Sequence, residues 1–391
     1  MYKYIQDYVR NNSRSVLSGC TVPQKKAVSE IIRGLFTAGT PILRHLVQSE
    51  SKTAKKQAEK YSHHLGSINL KDKVDEFSLR RVKDEIKEDT IIAYDLTDIN
   101  KECSKKMENL SAVWDGSKRE VADGFLLHGV GVNGILLKLQ VHENDIHTLN
   151  ETRMNIILKY AESFGHRGIW AFDRGNDGKI FFRDLRQKAK VQFIARLRVN
   201  RTVVMKETGA VEKLKDVPEG QHNVFILDEH GKVDTEYEYL LVVSKHLKDK
   251  PPIRLLCHLK QEYPTQQIVN MYLERWGIEN VFKRAKGKFN LEKIRVLNYQ
   301  KFVNIISLIQ FAINACTITF LAIQQITNPI ISGVLFCYKK FIHQKSLYTN
   351  LDSFITFLQH SLKPLVHRPK KSKIYQFTLF SRRQLEKLGS F

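Results

Sequence analysis

"YLERWGIENVFKRAKG", residues 272–287, is the stretch on which the reading of the whole chain turns. As one helix at 100° per residue, it brings Tyr272, Arg275, Glu279 and Lys286 into an arc of roughly 60°. Ile268, Met271, Ile278, Phe282 and Ala285 make an apolar stripe that overlaps this face and extends to one side of it. The pattern predicts an amphipathic helix lying on a sheet, with Glu279 at the rim. An acid held among bases has a plain explanation in an i,i+4 ion pair between Arg275 and Glu279, worth roughly 0.2–0.5 kcal/mol. The other explanation is chemical, and it depends on what the rest of the chain brings to the same place.

Two further acids stand in apolar strands. "TIIAYDLTDI", residues 90–99, reads as a buried strand with Asp95 inside it, and "GIWAFDRGNDG", residues 168–178, as a short strand that ends on Asp173. An acid in such surroundings costs free energy unless a cation or a donor satisfies it. Two of them in neighbouring strands, with a third carboxylate on a following helix, describe a divalent-metal site. Mg²⁺ takes carboxylate oxygens and keeps several waters, so two or three acids suffice. A pair of such ions can activate an attacking oxygen and stabilise the leaving oxygen of an in-line phosphoryl displacement. Asp98, read as sharing the face of Asp95, is an alternative ligand. "DRGNDG" matches a calcium loop in part, but Gly175 stands where a side-chain ligand is required. Glu143 and Asp145 in "HENDIH" read as caps of the next helix. Cys257 and His258 are adjacent and poorly placed to chelate one ion together.

The composition favours a polyanionic partner. Among 391 residues, 63 Lys and Arg face 41 Asp and Glu, a net charge of +22 with a pI near 9.6. Such an excess suits nucleic acid or an anionic membrane surface. The five cysteines, Cys20, Cys103, Cys257, Cys316 and Cys337, contain no CxxC pair and read as reduced thiols of a cytosolic protein. The N-terminal "MYKYIQDYVRNNSRS" lacks the apolar core of a signal peptide. From Phe302 to Tyr338 no side chain is charged, but Asn304, Ser307, Gln310, Asn314 and Thr317 recur at steps of three or four. That spacing predicts an amphipathic core helix with a mild polar face rather than a membrane span. Asn328-Pro329 ends the run.

Along the chain, residues 1–85 read as helical and basic. "PQKKAVSEIIRGLF" and "PILRHLVQ" flank "TAGT", a pattern shared by a helix-turn-helix and by an ordinary helical pair. After the Asp95 strand, "GFLLHGVGV" and "ILLKLQVHE" meet at Asn133-Gly134, the strongest short-range hairpin signal. "NDIHTLNETRMNIILKYAESFG" reads as a capped helix ending at Gly165, and "VQFIARLRV" as another strand. The order is strand, hairpin, helix, strand, strand. Residues from about 182 to 260 stay strand-like, with turns at "DEHGK" and "KDKPP". Helical pattern resumes after Pro264, and the tail beyond Lys339 is strongly basic.

The spacing Tyr-x2-Arg-x3-Glu-x6-Lys, met by Tyr272, Arg275, Glu279 and Lys286, resembles the signature of the DDE transposases of bacterial insertion sequences, insertion-sequence-4 type. "YDLT" and "FDRG" resemble the family's two segments around its first and second acids, and the likeness covers roughly residues 85–325. It implies an α/β fold: an RNase H-like mixed sheet flanked by helices and interrupted by a β-rich insertion. A helical N-terminal domain and a basic C-terminal region flank that core. The corresponding segments are a DNA-end-binding domain at 1–85, the catalytic core at 86–181 and 263–325, the insertion at 182–262 and the basic region at 326–391. Asp95, Asp173 and Glu279 would bind the catalytic metals, two Mg²⁺ ions or Mn²⁺ in their place. Tyr272, Arg275, Lys286 and Arg174 would hold double-stranded DNA through its phosphates. The protein would nick the ends of its element and join them to target DNA. It would act as a homodimer in the synaptic complex, in the bacterial cytoplasm on the nucleoid and with no membrane. Some relatives stack a Trp of the insertion on a flipped base. Here the tryptophans are Trp114, Trp170 and Trp276, none of them in the insertion. An RNase H-fold nuclease without strand transfer, or an idle DNA-binding descendant of a transposase, are the competing readings.

Overall fold

The structure is a computed structural model that describes residues 13–46, 53–101, 104, 106–115, 118–227, 230–245, 251–325, 329–345 and 349–362. The expectations placed on Cys103, on Asn328, on most of the N-terminal stretch and on the tail beyond 362 lie outside these residues. The chain divides into two compact units. One comprises Leu70–Lys286 and Val296–Asn314, and the other the N-terminal residues to Asn69, Gly287–Arg295 and the segment from Ala315 onward.

The second of these is helical. Helix α1 (Val22–Ala38) begins with a capping box, in which Thr21 and Gln24 satisfy each other's backbone N–H groups, and stops at Gly39 in the left-handed region. "PILRHLVQ" forms only a 3₁₀ turn over Leu43–Leu46, so the second helix of the helix-turn-helix pattern is not formed in the described residues. Helix α2 (Ala54–Gly66) follows. The next helix, α3 (Lys71–Val82), belongs to the other unit. The first compact stretch of the chain thus runs to Asn69.

Among its described residues, the larger unit is built on one mixed sheet of eleven strands with helices, an α/β architecture. The strands are β1 (Ile91–Asn100), β2 (Ser111–Asp115), β3 (Glu120–Val132), β4 (Ile135–Val141), β5 (Ile169–Phe172), β6 (Gln192–Arg196), β7 (Thr202–Met205), β8 (Val211–Lys213), β9 (Gly220–Ile226), β10 (Tyr239–Ser244) and β11 (Ile253–His258). Their order is β2-β3-β1-β5-β6-β11-β10-β9-β7-β8, with β4 also on β3. Strands β1, β5 and β6 run parallel, and β11 runs antiparallel to β6. The β-rich stretch is thus no separate body: through β11 it extends the sheet that carries Asp95 and Asp173.

Local chemistry explains most elements. Asn133 and Gly134 both take positive φ, 51° and 77°, which a two-residue hairpin turn requires. Helix α4 (Leu149–Ser163) starts with a capping box between Thr148 and Glu151. Glu143, expected as a cap, instead accepts a hydrogen bond from the Tyr299 hydroxyl at 2.7 Å. Parallel strands cannot be joined by a tight turn. Between β5 and β6 the crossover is α5 (Lys179–Gln187), a helix in a stretch expected to be strand.

Helix α8 (Tyr299–Gln325) has a segment, Tyr299–Leu321, long and apolar enough to cross a membrane, and most of it is buried inside the protein. Its polar residues are not a mild outer face. Asn314 Oδ1 accepts from Leu136 N–H at 2.8 Å and its Nδ2 donates to Leu136 O at 2.7 Å. Gln310 Oε1 accepts from Leu139 N–H at 3.0 Å. These amides satisfy the free edge of β4, which pairs on one side only, and so prevent further strand addition there.

Candidate active site

Parallel register places the two strand acids side by side. Strands β1 and β5 pair Ile91 with Ile169, Ile92 with Trp170 and Ala93 with Ala171. Carried two residues on, the same register sets Asp95 beside Asp173, which directly follows β5 and caps a 3₁₀ turn at Arg174–Asn176. Asp173 therefore stands at the carboxyl end of β5, and Asp95 in β1 just past the stretch paired with β5.

The quoted stretch is two helices rather than one. Helix α6 (Thr265–Glu274) and helix α7 (Trp276–Gly287) meet at Arg275. There Arg275 N–H bonds to Tyr272 O at 3.1 Å, and Ile278 N–H to Arg275 O at 3.1 Å. These three-residue steps overwind the chain and break the single 100° phase. Tyr272 consequently turns into the core: it is 1% exposed and packs with Ile268, Met271, Ile194 and Leu255. Helix α7 comes down on β3 at Gly129, where an added Cβ would lie 2.4 Å from Phe282 and 3.2 Å from Ile278. Gly129 is the residue paired with Asp95 across β1 and β3. The glycine lets the helix approach closely, which brings Glu279, next to Ile278, toward Asp95.

Arg275 ties the site together. Its Nη1 donates to Asp95 Oδ2 and its Nη2 to Glu279 Oε1, both at 2.7 Å. The guanidinium lies 5.7 Å from the Tyr272 ring centroid, and its buried Nε has no hydrogen-bond partner among the described residues. Burial alone would lower the Arg275 pKa; Tyr272, Asp95 and Glu279 together outweigh it and hold the group further protonated. Asp95 Oδ1 accepts the Leu96 N–H at 2.9 Å. Burial above all pushes the Asp95 carboxyl up to about 6, with Asp173 and Glu279 adding to the rise and Arg275 opposing it. Asp95 is thus a carboxylate under strain, held charged chiefly by one arginine.

Of the residues read as DNA contacts, Tyr272 is buried, and Arg275, with a side chain 6% exposed, is engaged with carboxylates. The i,i+4 pair to Glu279 is formed, and it is half of a three-residue bridge. Asp98 stands three residues after Asp95, an odd step that leaves the face of Asp95 in a strand of period two. It forms an ion pair with Lys286 Nζ at 3.5 Å.

The donor set suits a hard divalent cation: three carboxylates, from a strand, a strand end and a helix, all oxygen donors. A cationic group, the Arg275 guanidinium, already occupies the space between two of them. As the side chains stand, no three His, Cys, Asp or Glu among the described residues are close enough to hold a metal ion. A metal would have to take Asp95 and Glu279 from Arg275.

Beside Asp173 opens a groove of about 410 Å³ lined by Arg174, Arg196, Arg198 and Arg254. Arg254 is committed to the backbone, donating to Leu214 O and Lys215 O. Arg174 is exposed. Arg196 and Arg198 escaped the sequence reading, although "IARLRVNR" at the end of a strand next to β5 carried the signal. Of the tryptophans, Trp170 is fully buried, whereas Trp114 and Trp276 are exposed.

A family model for the transposase DDE domain matches residues 88–315. The chain belongs to this family, whose members are DNA-transposing enzymes that generally use divalent metal ions. Among solved structures, a piggyBac transposase synaptic complex with hairpin DNA is similar over 99% of this chain and 81% of its own, at 11% identity and a TM-score of 0.45. No curated protein matches the chain.

Proposed function

We propose that this protein is a transposase of the insertion-sequence-4 type with an RNase H-like core. In this reading it binds the terminal inverted repeats of its element as a homodimer, nicks them in the presence of Mg²⁺, and joins the freed 3′-hydroxyl to target DNA in the bacterial cytoplasm. The observation that carries the reading is the convergence of Asp95 and Asp173, in register on parallel strands, with Glu279 joined to Asp95 through Arg275.

Asp95, Asp173 and Glu279 would hold the divalent ions, probed with Mg²⁺ or Mn²⁺ and two in number. When bound, such ions supply Lewis acidity at phosphorus and lower the pKa of water. The chain's own residues do the rest. Arg275 opposes part of the charge of Asp95 and Glu279, and a cation held by these carboxylates would displace it. Arg174, Arg196 and Arg198 line a basic groove beside Asp173, suited to a phosphodiester backbone. Lys286, 28% exposed, lies 3.5 Å from Asp98, within reach of a backbone phosphate.

Asp95→Ala tests the reading. It should abolish Mg²⁺-dependent nicking of a duplex that bears an element end, while the same duplex still binds in EDTA. A variant that nicks at the wild-type rate would contradict the assignment. Nicking without joining by the wild type would make the protein a nuclease.

A further inference from the structure

Arg153 is a buried cation with no carboxylate against it. It lies on α4, and among the described residues it makes no ion pair. Its Nη1 donates to Asn176 Oδ1 at 2.5 Å and its Nη2 to Asn150 Oδ1 at 2.6 Å. The guanidinium covers the Phe181 ring, 3.5 Å from its centroid. Burying such a charge costs several kcal/mol unless its donors are used and its charge is opposed. The opposing charge is one residue further on. Asn176, also buried, donates from Nδ2 to Asp173 Oδ1 at 2.5 Å.

The chain Arg153–Asn176–Asp173 has only one polarity. A guanidinium donates and never accepts, so Asn176 must turn Oδ1 toward Arg153. Its Nδ2 must then point at Asp173. Asp173 Oδ1 also accepts the Gly175 N–H at 3.0 Å. Two donors therefore pin Oδ1, and Oδ2 has no hydrogen-bond partner among the described residues. Arg153 thus sits against an amide whose other end holds the rotamer of an acid.

We propose that Asn176 is a positioning residue for Asp173, oriented in turn by Arg153, so that Asp173 offers Oδ2 to a divalent cation. The proposal rests on the reading of Asp173 as a cation ligand. Residues behind a metal ligand commonly hold it in the productive orientation, and their loss weakens metal binding about 10–100-fold.

The test is calorimetric titration of the metal-free full chain with Mn²⁺, comparing wild type with Asn176→Leu, Asn176→Ser, Arg153→Lys and Asp173→Asn. Melting in EDTA checks the fold, and binding to an end-bearing duplex in EDTA reports the rest of the surface. Both Asn176 variants should bind Mn²⁺ at least about tenfold more weakly with DNA binding unchanged. Arg153→Lys, which keeps the charge but cannot fork to Asn176 and Asn150, should fall between them and wild type. Asn176→Ser is small enough to fold if Asn176→Leu does not. If a folded Asn176 variant binds Mn²⁺ within twofold of wild type while Asp173→Asn loses it, the positioning role is overturned and the cation site stands. If Asp173→Asn binds Mn²⁺ as wild type does, both readings fall.

Discussion

Two buried ion pairs in the larger unit use the same residue chemistry to opposite ends. In the first, Lys138 Nζ meets Asp75 Oδ2 at 2.5 Å, with both side chains about 5% exposed or less. Gln310 donates to the other Asp75 oxygen at 3.2 Å. Charges match one to one, and the pair joins α3 to β4. In the second, one guanidinium serves Asp95 and Glu279 with Asp173 alongside, Arg275 Nε is left unpaired, and the Glu279 side chain is 41% exposed. The first pair is closed and structural. The second has more negative charge than its single cation neutralises, opens to solvent, and keeps one carboxyl far from its ordinary pKa. The difference between them is that between a fastening and a site waiting for a further cation.

The largest effect should come from breaking the closed pair. Lys138→Met leaves the Asp75 carboxylate buried without a counter-charge and should cost about 3–5 kcal/mol, read as a lower urea midpoint. Its response to Mn²⁺ should match that of wild type. A loss under about 1 kcal/mol would mean that the pair contributes no more than surface ion pairs do.

The open site should gain from metal what the closed one cannot. Mn²⁺ at a hundred times its Kd should stabilise wild type by about 2.7 kcal/mol through mass action, and Asp173→Asn by clearly less. Equal stabilisation of the two proteins would move the ion elsewhere.

A smaller effect sharpens the electrostatics. Asp95 is raised from 3.8 to about 6. Its protonated form is favoured by folding, so the stability it contributes is fully present below 3.8 and is lost as pH rises through about 6. In EDTA, wild type should therefore gain on Asp95→Asn by about 1–1.5 kcal/mol between pH 8 and pH 5. A difference independent of pH would remove the strain from the site. Least of all, Lys286→Ala should leave stability nearly unchanged and lower the salt dependence of end-DNA binding by about one counterion; an unaltered salt slope would remove Lys286 from the DNA contacts.

What could be read from the sequence was local. Asp95 in an apolar strand, the Asn133-Gly134 turn and Asp173 at a strand end each announce themselves within about ten residues. The break at Arg275 did not, because Tyr272, Arg275, Glu279 and Lys286 fit one helical phase; the three-residue steps depend on Tyr272 entering the core and Arg275 reaching Asp95. The α5 crossover was hidden in a strand-rich stretch and follows only from β5 and β6 being parallel. The support of Asp173 by Asn176 and Arg153 was invisible for a similar reason, since Arg153 and Asn176 lie on different elements and meet only in the folded chain.

The central claim is that Asp95, Asp173 and Glu279 exchange Arg275 for a divalent cation. Anomalous diffraction from crystals of the full chain soaked in Mn²⁺ tests it most directly. The account predicts a manganese peak within coordination distance of the Asp95, Asp173 and Glu279 carboxylates, with the Arg275 guanidinium withdrawn from Asp95. A peak elsewhere, or none, with Arg275 still bridging Asp95 and Glu279, would contradict it.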